Sequence, residues 1–170
     1  YDGTGLTTTA VASITEGTTI EYSTDDGQNW SETAPSRTNV GTTTVSVRAT
    51  NANYETATTT YTLTVTPRAV TVTASNKSKV YGEEDPTLDA TVTGLLEGDT
   101  VNYDLSRAAG ENVAGSPYAI TPEGKLIQGN YAVTYVKGEL TITKAGTLTV
   151  TGTDLSKVYD GTALVSTAAT

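Results

Sequence analysis

Thr71-Val72-Thr73-Ala74-Ser75-Asn76-Lys77-Ser78-Lys79-Val80-Tyr81 recurs without a gap as Thr149-Val150-Thr151-Gly152-Thr153-Asp154-Leu155-Ser156-Lys157-Val158-Tyr159. More than half of the positions are identical. Thr alternating with Val is a strand pattern, because successive side chains of a strand point to opposite faces. The spacing also makes the chain an array of similar units, and internal repeats constrain a fold before any local reading does. The triplet Tyr1-Asp2-Gly3 returns as Tyr159-Asp160-Gly161, and a variant, Tyr81-Gly82, lies between them; the steps are 80 and then 78 residues. A second match closes each unit. Asn53-Tyr54 precedes Leu63-Thr64-Val65-Thr66 by the interval at which Asn130-Tyr131 precedes Leu140-Thr141-Ile142-Thr143. Residues 1–67 and 68–145 therefore read as diverged copies of one β module, with 146–170 the opening strands of a third. The joints Pro67-Arg68-Ala69 and Lys144-Ala145-Gly146 are too short to be flexible tethers, so neighbouring modules are expected end to end with limited bending.

Composition points to the same class. Thr makes up about a fifth of the 170 residues, Gly punctuates the chain, and no segment holds a 3.6-residue apolar period. All-β is the class that fits. Hydrophobic residues are 36% of the chain, with one Trp and no Phe or Met, which predicts thin cores and small sandwiches over one large domain. The net charge of −9 excludes a nucleic-acid binder, which needs a basic surface, and disfavours an anionic membrane. It suits a soluble, self-repelling extracellular surface. Zero Cys excludes disulfides and thiolate metal sites. No signal peptide or membrane-spanning stretch lies in the sequence. The absent initiator Met leads us to expect a fragment or a processed chain.

Strands are expected at Thr19–Ser23, Thr44–Ala49 and Thr60–Thr66 in the first unit. In the second they are expected near Val70–Ala74, Leu88–Val92, Val101–Leu105, Tyr118–Ile120, Ala132–Val136 and Glu139–Thr143. Asp25-Asp26-Gly27 predicts a hairpin turn, since Asp-Gly supplies positive φ. The third unit, with its opening strand and Thr162–Ala169, cannot close a sandwich by itself. Completion by sequence beyond residue 170 is the expectation, and pairing with another chain is the alternative.

Lys79-Val80-Tyr81-Gly82-Glu83-Glu84-Asp85-Pro86, Gly94-Leu95, Gly129-Asn130-Tyr131 and Leu140-Thr141-Ile142 together resemble the MBG domain of the YGX type. Lys157-Val158-Tyr159-Asp160-Gly161-Thr162 resembles the opening of a YDG-type repeat, and the first unit resembles the bacterial Ig-like modules found beside MBG domains. The resemblance implies a place in a long secreted protein or adhesin of bacteria, with a stalk or adhesion role. It carries over no catalytic or ligand-binding residue. For the fold, tandem Ig-like β-sandwich modules are expected. A β-grasp is the alternative for the second module, and the absence of a helix signal there weighs against it.

Several residues are candidates for chemistry, each with a plainer reading beside it. Ser23-Thr24-Asp25-Asp26-Gly27-Gln28-Asn29-Trp30 resembles the Asp-box hairpin of sialidase propellers, with Asn29 in place of Thr. Asx-turn chemistry explains the same residues. Trp30 is a candidate sugar-stacking platform, against the usual fate of a lone Trp as core. Asp25, Asp26, Glu83, Glu84 and Asp85 are weak calcium candidates, against solvated acidic turns; calcium wants six to eight converging oxygens, and neither run has EF-hand spacing. Lys79, Lys137 and Lys157 with Asn53 and Asn130 are candidates for intramolecular crosslinks. Ser78-Lys79 recurs as Ser156-Lys157, which favours a structural role over Ser-Lys nucleophilic chemistry. With no His and no Cys no familiar nucleophilic triad can be built, so no enzyme is expected. The expected function is a spacer in an extracellular, cell-surface bacterial adhesin or fibre. Its partners would be neighbouring repeats and other copies of the chain. A host glycan or mucin ligand near Trp30 is the alternative.

Overall fold

The structure, a computed structural model, describes residues 1–152 and 154–164. It is all-β and sandwich-like, with thirteen strands in four sheets and no α-helix among the described residues. The first five strands pair only among themselves. They are β1 (Leu6–Thr7), β2 (Thr18–Ser23), β3 (Ser36–Arg37), β4 (Gly41–Asn51) and β5 (Tyr54–Val65). An antiparallel sheet runs β2-β4-β5, and β1 and β3 form a two-stranded ribbon. The period-2 pattern places Val45, Val47, Tyr22 and Leu63 in one core, with Ile20 and Tyr61 against it. Glu21, Ser46 and Thr62, which alternate with them, point to the other face. Tyr22 pairs Val47, and Val45 pairs Tyr61, so the apolar residues meet as cross-strand pairs. β5 is exposed over most of its length and buries only Leu63. The wet-and-dry alternation expected for Thr60–Thr66 is confined to that end.

The remaining strands form two four-stranded sheets. They are β6 (Arg68–Ala74), β7 (Lys77–Val80), β8 (Ala90–Thr93), β9 (Asp104–Arg107), β10 (Tyr118–Glu123), β11 (Ile127–Gln128), β12 (Tyr131–Val136) and β13 (Gly138–Thr143). One sheet is ordered β11-β12-β6-β8 and the other β7-β13-β10-β9. The opening strand is thus one run of chain that changes sheets between Ala74 and Lys77, and the closing strand changes sheets between Val136 and Gly138. The two runs lie parallel and change together. Arg68 pairs Tyr131 in the first sheet and Lys77 pairs Leu140 in the second, with the same sequence offset. Gly138 sits at the crossing. A Cβ there would lie 2.6 Å from the Ala74 carbonyl oxygen and 2.9 Å from that of Ser75, so only glycine fits. Asn76 secures the break, its Oδ1 accepting from the Glu139 N–H at 2.9 Å.

Each sheet has its own core. Val70, Val72, Tyr131 and Val133 form one; Ala74, Ile120, Leu140 and Ile142 form the other. Full burial of a Val, Ile or Leu side chain is worth about 1.5–3 kcal/mol, and these few residues carry most of it.

Some strands differ from expectation. Val101–Leu105 is displaced to Asp104–Arg107. The Gln128 side chain takes the place of a strand at Asn102: its Oε1 accepts from the Asn102 N–H and its Nε2 donates to the Asn102 carbonyl, both at 2.8 Å. Leu88–Val92 begins later, at Ala90, because the Asp89 carbonyl accepts from Ser75 N–H and its carboxylate from Lys77. Residues 144–152 and 154–164 form no strand. Leu148 and Val150, at the positions of buried Val70 and Val72, are 93% and 95% exposed, since a strand without a neighbour has no ladder and no face to bury. Residues 165–169 of the expected stretch Thr162–Ala169 lie outside the described residues.

Leu140→Ala removes a fully buried side chain from the second core. It is expected to cost about 2–5 kcal/mol in urea unfolding, whereas Leu148→Ala should change stability by less than about 0.5 kcal/mol. Equal effects would contradict this assignment of the core.

Candidate functional site

Ser23 to Trp30 folds as a tight hairpin tip. The Ser23 hydroxyl donates to Asp25 Oδ1 at 2.7 Å and accepts from the Gly27 N–H at 2.9 Å. Asp25 Oδ1 also accepts from the Asn29 N–H at 2.9 Å, and Oδ2 accepts from Asn29 Nδ2 at 2.6 Å. Asp26 and Gly27 take positive φ, 56° and 84°, as the Asp-Gly turn predicts. Behind the tip, Tyr22 and Ser31 exchange backbone hydrogen bonds of 2.7 and 2.9 Å. Asn29 supplies the side chain that secures the turn where the Asp-box has Thr.

Trp30 is neither core nor open platform. It is half-buried, its Nε1–H donates to the Gly27 carbonyl at 2.9 Å, and the Arg48 guanidinium lies 4.4 Å over its ring. Arg48 is itself held by Glu21 at 2.7 Å. A shallow recess of about 440 Å³ opens beside the ring, lined by Asp26, Ser46, Thr58 and Thr60.

The acidic run of the second sheet pair belongs to an ion cluster. Lys79, on β7, has an almost fully buried side chain and donates to Asp85 Oδ1 at 2.7 Å, to Glu111 and to the Glu83 carbonyl. Arg107, on β9, pairs the same two carboxylates, with Nε 2.6 Å from Asp85 Oδ2. Two cations and two anions thus close a ring. Hydrogen bonds from Arg107 and Lys79 pull the Asp85 carboxyl below its ordinary value, and those from Lys79 and Arg107 do the same for Glu111. Asp85 and then Glu111 push the Lys79 ammonium up. All members are held as ions.

These bonds place several of the sequence candidates. Amide formation needs a neutral amine beside a protonated acid or an amide, and Lys79 has carboxylates as ions around it. Lys157 bonds locally, to Asp160 and Thr162, and Asn53 donates its backbone N–H to Asn51. No Lys–Asn pair among the named candidates is brought together in these bonds. Three of the calcium candidates have partners of their own. Asp25 accepts bonds from Ser23 and Asn29 within its turn, Asp85 pairs Lys79 and Arg107, and Glu83 Oε2 accepts from the Val80 N–H at 3.1 Å. Among the described residues no three acidic side chains converge as a metal site.

The sequence located the joint at Pro67-Arg68-Ala69 but not the side chains that cross it. β5 ends at Val65 and β6 begins at Arg68, so only Thr66 and Pro67 lie between. Asn130 reaches back across it: Oδ1 accepts from the Val40 N–H at 2.9 Å, Nδ2 donates to Asn39 Oδ1 at 3.0 Å, and its carbonyl accepts from the Arg68 N–H at 2.9 Å. The Tyr1 ring meets Tyr131 edge to face at 5.6 Å. Tyr131 in turn donates its hydroxyl to Asp99 and accepts from the Leu96 N–H at 3.2 Å. The signal was present as the repeated Asn-Tyr pair, but its reach across the joint depends on three-dimensional placement.

The repeated Tyr-Asp-Gly-Thr is a turn. Asp2 Oδ1 accepts from the Thr4 N–H at 2.8 Å and its hydroxyl at 2.7 Å; Asp160 Oδ1 accepts the same two bonds from Thr162 at 2.9 and 2.8 Å.

Two predictions follow from these geometries. The Asn29 and Ser23 bonds hold the Asp25 carboxyl at about 2, below its ordinary value of 3.8. The folded value is the lower one, so its stabilisation is complete above the unfolded value and is lost as pH falls through about 2. Emission of Trp30, the single Trp, should stay constant from neutrality to near 3.8 and shift below it. In Asp25→Ala the shifted emission should already be present at neutral pH. At the joint, Asn130→Ala removes two side-chain bonds and should cost about 1–2 kcal/mol. It should also broaden the distance distribution between spin labels placed in β4 and β12; an unchanged distribution would count against a braced joint.

Residues 70–141 match the family model described as MBG domain (YGX type). No curated protein and no solved structure matches the chain.

Proposed function

We propose, from the match of residues 70–141 to the MBG domain of the YGX type, that the chain is a structural spacer from a secreted or cell-surface bacterial protein. It would stand between an adhesive tip and the cell, or build a surface fibre. The observation that carries this reading is the braced joint of Thr66 and Pro67, with Asn130 holding Asn39 and Val40 from the far side. A linker this short with side chains across it transmits direction from one sheet pair to the next. The net charge of −9 keeps such arrays apart in solution. Nucleophilic chemistry would fall to Ser, Thr or Lys, and Lys79 is held as a cation by two carboxylates; the reading is non-catalytic.

A second reading, binding of a host glycan or mucin, is favoured by Trp30 at the rim of its recess. Arg48 takes one face of the ring, which leaves less of it for a sugar. A glycan array of the wild type and Trp30→Ala separates the two. We expect no saturable signal that depends on Trp30; such a signal would replace the spacer with an adhesive module. Electron microscopy of the chain is expected to show an elongated particle, and a compact globule would sink the spacer reading.

A further inference from the structure

We propose that the parallel pairing of the opening and closing strands is a shear clamp, which carries tension through residues 68–143 when the array is pulled. This deepens the spacer reading and rests on it for its biological setting. The inference starts from where force would enter and leave. Tension along the chain enters at Pro67, at the start of β6, and leaves at Lys144, just past the end of β13. These points lie at opposite ends of one parallel ladder. Pulling on them slides the opening run along the closing run, so the hydrogen bonds are strained together. Pulling two parallel strands apart from the same end opens the bonds one at a time.

The ladder is long and closed at both ends. Six register pairs run from Arg68↔Tyr131 to Thr73↔Val136, and four from Lys77↔Leu140 to Val80↔Thr143. The Arg68 N–H to Asn130 carbonyl bond, 2.9 Å, closes one end, and the Tyr81 N–H to Thr143 carbonyl bond, 2.8 Å, closes the other. Asn76 bridges the sheet change through Glu139 N–H, so neither half can slip alone. Val70, Val72, Val133, Leu140 and Ile142 are buried along it and keep water from competing for strained bonds. β7 is an edge strand, and Lys79 ties it by ion pairs to Asp85 and Glu111. The first sheet differs. β5 pairs with β4 alone in an antiparallel ladder whose last rung is Gly41↔Val65. Force leaving at Thr66 acts on that rung and peels the ladder.

The chain contains no Cys, so introduced thiols attach handles at chosen points only. Pro67, Glu84 and Lys144 are exposed. Pro67→Cys with Lys144→Cys applies the shearing geometry; Glu84→Cys with Lys144→Cys pulls the C-terminal ends of β7 and β13 apart. Both double variants are first checked for the parent melting temperature and β-sheet circular dichroism. Single-molecule pulling at one loading rate is then expected to give a rupture force several-fold higher in the shearing geometry. Equal forces, or a stronger peeling geometry, would overturn the clamp. The two readings fail separately: equal forces in a chain that images as elongated remove the clamp and leave the spacer. Unequal forces in a compact particle keep the clamp and remove the spacer.

Discussion

The parallel ladder between the first and last strands of residues 68–143 is the constraint on which the rest of that region depends. Parallel neighbours cannot be joined by a tight turn, so the chain between Val80 and Tyr131 must travel back to the starting end. It uses that length to build β8 to β11 and to flank the ladder in both sheets. Because both runs change sheets at the same offset, the two cores are joined through covalent strands as well as through packing. A side chain at Gly138 would collide with the Ala74 and Ser75 carbonyls, so this contact fixes where the change can occur.

Charge is placed sparingly but consistently. An acidic chain with ten Lys and Arg commits two of its cations, Lys79 and Arg107, to a ring with Asp85 and Glu111. Burying Lys79 alone would be costly, and two carboxylates compensate it. The ring lies at the C-terminal end of the ladder, where β7 is an unflanked edge. Other Asp residues serve turns: Asp25 in the hairpin tip, Asp2 and Asp160 in the repeated Tyr-Asp-Gly-Thr. These are local devices, and each satisfies backbone N–H groups that a tight turn leaves without a ladder partner. Of these carboxylates, Asp25 and Asp85 were weak calcium candidates on their clustering in sequence.

The joint shows how a repeat motif acquires a second use. Asn130-Tyr131 marks the closing strand in the sequence. In the fold, the Asn side chain braces the preceding sheets, and the Tyr ring receives Tyr1 on one side while its hydroxyl serves Asp99 and Leu96. Local strand structure and the bracing of the joint thus depend on the same two residues.

The sequence by itself determined the class and the principal strands, because Thr–Val alternation and Asp-Gly turns are local and report directly on backbone conformation. The expected common fold of 1–67 and 68–145 is not seen in the pairing, since β5 is antiparallel to β4 alone while the closing run of the second region is parallel to its opening run. β2, β4, β6, β12 and β13 lie where alternation puts them. The hairpin at Asp25 to Gly27 was legible for the same reason. Tertiary structure decided which strands pair, and in which direction. Nothing local distinguishes a parallel partner 63 residues away from an antiparallel one. It decided that Gln128 occupies the backbone of Asn102, which moved β9. It also decided that Lys79 is buried and paired, that Trp30 is half-covered by Arg48, and that Leu148 and Val150 stay exposed although their counterparts Val70 and Val72 are core. A pattern records which side chains can be buried; the neighbour that buries them comes from a distant part of the chain.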